Sequence, residues 1–234
     1  MVITGGANGE NMENVLNEIK EIALKYYSIN KVVLFGSRAR GDNTDKSDYD
    51  IAVFSDNIDS LDKIRFSEDM DNIKTLNKID IVFIKDRHKG TEIYQNIKND
   101  GVIIMDKFQI KLNNYKKALE RLHEAIEEEK HTKSLAVRDG AIKRFEFTSE
   151  LAWKTIREYL LAEGMTDINS PKKVMREAFN NNIIEDDQGW IQILDDRNST
   201  SHIYDEDDAN DVYERIISAH IKLFDELMKK MMNS

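Results

Sequence analysis

Two hydrophobic rhythms divide the chain. Before residue 107, short β-branched runs alternate with longer amphipathic stretches; after it, apolar residues recur only three and four apart. Over residues 11–27, Val15, Ile19, Ile22, Ala23 and Tyr26 keep that helical spacing. Residues 31–35, 49–54 and 79–84 are apolar and β-branched enough to predict strands, and 102–105 predicts a short closing strand. Residues 59–76 predict a helix through Leu61, Ile64, Phe66, Met70, Ile73 and Leu76, and another helix carries Tyr94 and Ile97. Residues 1–10, with three glycines, are expected to be disordered or extended.

The second rhythm is helical throughout. Leu112, Tyr115, Leu119, Leu122 and Ile126 mark one face, and a polar break is expected at 127–134. Ile142, Phe145, Ser149, Ala152, Ile156 and Tyr159 mark the next helix, which Gly164 should stop. Ser170-Pro171 reads as an N-cap followed by an N1 proline. A short helix is expected within 183–194, and a last one over 208–232. Trp153, Trp190 and the Met-rich tail (Met228, Met231, Met232) are read as packing residues. The pattern therefore predicts an α+β domain over 1–106, a small mixed sheet flanked by helices, and an all-α up-and-down bundle over 107–234.

Composition narrows the classes. With 33% charged and 40% hydrophobic residues the chain reads as globular, and no apolar run approaches the ~18 residues of a membrane span. No signal-peptide pattern is visible at the N-terminus, and the lack of cysteine excludes disulfides and thiolate metal sites; the cytoplasm is the expected compartment. The net charge of −10 is spread evenly, 14 basic and 19 acidic side chains over residues 1–106 against 20 and 25 over 107–234. Neither half has the basic excess of a general duplex binder.

Against this background one stretch carries chemistry. The first strand ends in Gly36-Ser37-Arg38-Ala39-Arg40-Gly41, and the second opens with Asp48-Tyr49-Asp50. Side chains alternate across a strand, so Asp48 and Asp50 point the same way and can share a cation. Gly36 permits close backbone approach to a ligand, and Ser37 offers a hydroxyl and an amide to phosphate oxygens. Hard oxygen donors beside a phosphate cradle suit Mg²⁺ arriving on a nucleoside triphosphate. Asp80 interrupts the apolar third strand. A carboxylate buried there would cost several kcal/mol unless paired or metal-bound, so it is expected on the same rim, able to take a proton from an attacking hydroxyl.

Gly36-Ser37, ten residues, Asp48-x-Asp50 and then Asp80 resemble the polymerase-β-like nucleotidyltransferases, in the compact form of their minimal (MNT) branch. The resemblance implies Mg²⁺ held by Asp48 and Asp50, with Asp80 as third catalytic carboxylate converging on the same ion. It also implies transfer of a nucleotide from a triphosphate with release of pyrophosphate, Arg38 and Arg40 facing the phosphates.

In the helical half, Arg197-Asn198-Ser199-Thr200-Ser201-His202-Ile203-Tyr204 resembles the R-x4-H-x-Y motif of HEPN proteins. The run from Gly140 to Lys154 resembles the long helix of HEPN proteins described as nucleotidyltransferase substrate-binding partners. The resemblance implies a metal-independent ribonuclease site built from Arg197 and His202, RNA as its ligand, and a homodimer through the HEPN domains. In two-gene toxin–antitoxin pairs of this kind the MNT protein adds AMP to the motif tyrosine. Here ATP would be the donor and Tyr204, on the same chain, the acceptor. The alternative keeps nucleotidyl transfer but makes the helical half a binding domain for a small-molecule alcohol such as an aminoglycoside. Asp186, Asp187, Asp205 and Asp207 would then meet the cationic substrate.

Overall fold

The computed structural model describes residues 7–55, 58–85, 88–165, 167–200 and 205–233, with the backbone alone for 7–11. The chain divides into two compact units, Met1–Lys107 and Phe108–Ser234. Among the described residues no helix is long and apolar enough to cross a membrane.

The first unit runs α1 (Ala7–Lys25), β1 (Lys31–Phe35), the short α2 (Gly36–Arg40), β2 (Tyr49–Phe54), α3 (Ser60–Asp71), β3 (Ile79–Ile84), α4 (Glu92–Asp100) and β4 (Val102–Asp106). The sheet order is β3-β2-β1-β4. β1 pairs antiparallel with β2 and β4, whereas β2 and β3 are parallel, and α3 supplies the crossover a parallel pair requires. The sheet is therefore mixed.

Alternation sorts the strands into two faces. On one, Phe66 of α3 meets Phe83 edge to face at 6.1 Å and Tyr26 at 5.3 Å, and Tyr26 donates its hydroxyl to Asp69. The opposite face carries Val33, Ala52, Ile84 and Ile97 of α4, with Phe35, Phe54, Val82 and Tyr94 packed around them. Counting back by two from Phe54 and Ala52 reaches Asp50; counting back from Ile84 and Val82 reaches Asp80. The acidic side chains thus continue the α4 face beyond the edge of its apolar patch.

Three expectations for this unit change. A helix is already formed at Ala7, inside the stretch expected to be disordered or extended. α3 ends at Asp71, where Asn72 turns its side chain back onto the Glu68 carbonyl. Of the apolar residues assigned to that helix only Phe66 and Met70 are buried within it, while Leu61 and Ile64 are exposed. Third, β3 is an edge strand and only half-buried, so Asp80 does not carry the desolvation cost of a central strand.

Every described element of the second unit is helical: α5 (Lys107–Thr132), α6 (Leu135–Ala162), α7 (Pro171–Asn180), α8 (Asp187–Ser199), α9 (Glu206–Arg215), a π-helical turn (Ile216–His220) and α10 (Ile221–Met232). Tyr115, Phe145, Trp190 and Phe224 lie at the centre of its core, and the Tyr115 hydroxyl donates to the Phe224 carbonyl at 2.8 Å. Trp190, Met228 and Met231 are core residues as expected, but Met232 is exposed. The polar break expected at 127–134 is not one: α5 runs through Glu127–Thr132 and stops only at Lys133, whose φ is +50°. Glu and Lys are good helix formers, so polarity there marks a solvated face rather than an end. α7 begins as read, with the Ser170 hydroxyl accepting from the Lys173 amide. α8 starts at an Asp186 cap, within the expected stretch, but continues past 194 far enough to include Arg197.

Candidate functional site

The acidic rim is built by register. β2 and β3 pair Asp50 directly with Asp80, and β1 and β2 pair Asp50 with Phe35, the residue before Gly36. Gly36 therefore lies against Asp50. Its φ is +72°, and a Cβ there would overlap Asp50 Oδ2 while standing 3.0 Å from Asp50 Cγ. Both the backbone conformation and the close approach require glycine. Burial, and after it the charges of Asp80 and Asp48, pushes the Asp50 carboxyl above the ordinary aspartate range; Arg40 and Lys78 offset part of that rise. Three like charges are thus gathered at one end of the sheet, an arrangement that favours a cation.

Asp80 has a local partner that sequence reading missed. Lys78, two residues earlier on the same side of the chain, forms an ion pair with its carboxylate. Among the described residues no group of three or more histidine, cysteine, aspartate or glutamate side chains stands close enough to enclose a metal ion. The structure therefore brings Asp48, Asp50 and Asp80 to one rim without closing them into a three-ligand cage. Asp48 and Asp50 are the donors that fit a hard divalent ion, since Mg²⁺ commonly takes only one or two protein carboxylates and completes its shell with water and phosphate.

The two arginines of the turn part ways. Arg38 is 8% exposed, stacks over the Tyr49 ring at 4.0 Å, and donates to the Ser47 carbonyl (2.6 and 3.0 Å) and the Asp48 carbonyl (3.1 Å). Expected to face the triphosphate, it is turned inward instead and holds the backbone that carries Asp48. The reason is loop geometry: residues 42–48 fold back over α2 and present two carbonyls to the guanidinium. Arg40 is exposed, is paired with Asp42 at 3.2 Å, and lowers the carboxyl of Asp50 by its charge; of the two it is the arginine that faces outward toward a phosphate. Ser37 lies at the start of α2, its carbonyl accepting from the Gly41 and Asp42 amides.

In the helical unit Arg197 occupies the last turn of α8. It donates to Glu150 on α6 at 2.9 Å and to Asn198 at 3.1 Å. Glu150 also accepts from Trp153 at 3.0 Å and pairs with Lys154 at 2.8 Å. Burial opposes its ionisation, but hydrogen bonds from Lys154 and Trp153, with the charges of Lys154 and Arg197, outweigh that and hold its carboxyl low. One residue before Arg197, Asp196 is buried and accepts from Arg215 (2.9 and 3.0 Å), His220 (2.7 Å) and Gln192 (2.9 Å). Burial holds the His220 imidazole below its ordinary range, so the neutral ring donates Nε2–H to Asp196 and stacks on Phe145. His202 and Tyr204 lie outside the described residues. Glu150 and Asp196 were not singled out from sequence; only their spacing on adjacent helices could have suggested them, and one sequence does not give that.

The comparisons with known proteins follow the same division. The family described as polymerase beta nucleotidyltransferase matches residues 17–110, and the one described as nucleotidyltransferase substrate binding protein like matches residues 110–233. A Haemophilus influenzae protein provisionally named ribonuclease HepT is 38% identical over 81 residues, which are 33% of this chain and 56% of that one. A Methanocaldococcus jannaschii protein provisionally named protein adenylyltransferase MJ0128 is 32% identical over 95 residues, 40% of this chain and 94% of that one. Among solved structures, HI0074 from Haemophilus influenzae, described as a substrate binding domain of a nucleotidyltransferase, aligns at 25% identity and a TM-score of 0.47, covering 52% of this chain and 98% of that chain. The chain belongs to the nucleotidyltransferase substrate binding protein like family through its helical half, joined to a nucleotidyltransferase domain of the polymerase-β type.

Proposed function

We propose that this chain is a Mg²⁺-dependent adenylyltransferase that transfers AMP from ATP to its own Tyr204 and thereby silences a ribonuclease site formed by Arg197 and His202. The observation that carries the reading is the register pair Asp50–Asp80, with Gly36 closed onto Asp50, in a chain that also supplies a substrate-binding-type domain. Relatives provisionally named as a protein adenylyltransferase and a ribonuclease support it from both halves.

Asp48 and Asp50 would hold the divalent ion, which when bound polarises the α-phosphate and neutralises charge. Gly36 and Ser37 leave room for the phosphates, and Arg40 meets them from the exposed side of α2. Arg38 keeps the Asp48 backbone in place through two carbonyls. Asp80, oriented by Lys78, accepts the phenol proton of Tyr204. The phenol oxygen bonds to the α-phosphorus as the bond to the bridging oxygen breaks, and pyrophosphate leaves. The product carries a nucleotide and a negative charge two residues from His202, which excludes RNA by bulk and by repulsion.

Cleavage of RNA by protein freed of any prior modification tests the whole sequence of events. Wild-type protein should cleave, His202→Ala should not, and incubation with ATP and Mg²⁺ should extinguish cleavage in wild type but not in Tyr204→Phe. Persistence of cleavage after ATP treatment contradicts the silencing role. Transfer of labelled nucleotide to an aminoglycoside, with none to protein, would establish the small-molecule alternative.

A further inference from the structure

Four side chains make a block where β2 and β3 begin. The parallel register sets Asp50 beside Asp80 and Tyr49 beside Ile79, so one step earlier Lys78 comes beside Asp48. The Tyr49 amide donates to the Lys78 carbonyl at 2.8 Å, which fixes that step. Just before it, the Asn77 side chain donates to the Asp45 carbonyl at 2.7 Å and the Ser47 carbonyl at 3.2 Å, tying the approach to β3 onto the approach to β2. The Lys78 backbone is thus anchored at the rim. Alternation gives all four side chains the same side of the sheet. Three corners of the block are carboxylates, and the fourth is an ammonium.

The ammonium belongs to the whole cluster. It pairs with Asp80, and that hydrogen bond and charge, with the charges of Asp48 and Asp50, raise the Lys78 pKa above the ordinary lysine range. In return its charge offsets part of the rise at Asp50. Arg40, the other cation felt by Asp50, is engaged by Asp42.

We propose that Lys78 is the resident counter-cation of the rim, which keeps a bare divalent ion off the carboxylates and makes metal loading depend on the nucleotide. The proposal rests on the reading of this rim as a nucleotidyl-transfer site. Carboxylates partly neutralised by a lysine are a weak site for Mg²⁺, which dehydrates reluctantly and is commonly held by one or two carboxylates together with substrate phosphates. Asp80, engaged by Lys78, is meanwhile kept out of the metal's shell and stays available as the base. Removing a unit charge a few ångströms from a divalent ion should change its affinity by roughly tenfold even in water.

Mn²⁺, a hard paramagnetic stand-in for Mg²⁺, tests this when titrated into the full chain without nucleotide, the free ion being counted by electron paramagnetic resonance. Lys78→Met should bind Mn²⁺ roughly tenfold more tightly than wild type, and Lys78→Arg should bind it as wild type does. Asp48→Asn in the Lys78→Met background should lose the gain. With a non-hydrolysable ATP analogue present the difference between wild type and Lys78→Met should nearly vanish, since an ammonium that repels the ion attracts the phosphates carrying it. Affinity in Lys78→Met no tighter than wild type, equal tightening in Lys78→Arg, or a gain that survives Asp48→Asn overturns the counter-cation while leaving nucleotidyl transfer standing. A tenfold difference that persists with the analogue overturns the dependence on nucleotide. Absence of pyrophosphate release by wild type given ATP and Mg²⁺ removes the nucleotidyl-transfer reading, and the proposal with it.

Discussion

Replacing Gly36 by alanine separates two costs that the structure places on one residue. The first is conformational: at a φ of +72° an alanine is in the left-handed region, which costs roughly 1–2 kcal/mol. The second is steric and falls on the chemistry. The new methyl would overlap Asp50 Oδ2 and stand 3.0 and 3.3 Å from Asp50 Cγ and Cβ. The antiparallel pair Phe35–Asp50 resists spreading, so the carboxylate must swing away by an ångström or more. Misplacement of that size costs on the order of 10²-fold in rate. Gly41 supplies the control: its φ is +79°, yet a Cβ there meets nothing within 4 Å. Gly41→Ala should lose ~1 kcal/mol of stability and keep its rate. Gly36→Ala should lose similar or somewhat more stability and ~100-fold in pyrophosphate release from ATP, measured well below both melting temperatures. Equal rates in the two variants would refute the argument that Gly36 exists to seat Asp50.

Other consequences follow from the same geometry. Asp50 titrates above its unfolded value, so its ionisation costs stability, a cost absent below the ordinary carboxylate range of roughly 4 and fully present at neutral pH. Asp50→Asn should therefore melt higher than wild type at pH 7, lose that advantage in acid, and release no pyrophosphate. Arg38→Lys keeps the charge but loses the fork onto Ser47 and Asp48; it should lower kcat roughly tenfold with little change in the KM for ATP, where loss of a phosphate ligand would raise KM. Asp196→Ala leaves Arg215 and His220 without their buried acceptor and should destabilise the helical unit by about 3 kcal/mol in denaturant melts.

Much of the catalytic half was legible because β-strand alternation is a strong constraint. Once residues 49–54 and 79–84 are strands, parity alone puts Asp50 and Asp80 on definite faces. Parity does not give strand order, however. Ile-Asp-Ile-Val-Phe-Ile reads alike at a sheet's centre and at its edge, so the pattern placed Asp80 on the rim without showing that its strand is only half-buried. Arg38 and Arg40 look equivalent in sequence; they differ because a loop nine and ten residues further on offers carbonyls to one of them. Lys78 could have been found by the alternation that selected Asp80. Glu150 and Asp196 were harder to find: Lys154, Trp153 and Gln192 stand at helical spacing on the same helices, but Arg197, Arg215 and His220 reach them from elsewhere in the sequence. In the bundle, caps such as Ser170 were readable from side-chain chemistry, whereas charge alone was a poor guide to where α5 ends.

The intact mass of the chain, measured before and after exposure to ATP and Mg²⁺, tests the central claim most directly. The account predicts one or more AMP increments on wild-type protein, mapped to Tyr204 by peptide sequencing and absent from Tyr204→Phe and Asp48→Ala. An unchanged wild-type mass in protein shown to start unmodified, or the same increment on Tyr204→Phe, would contradict it.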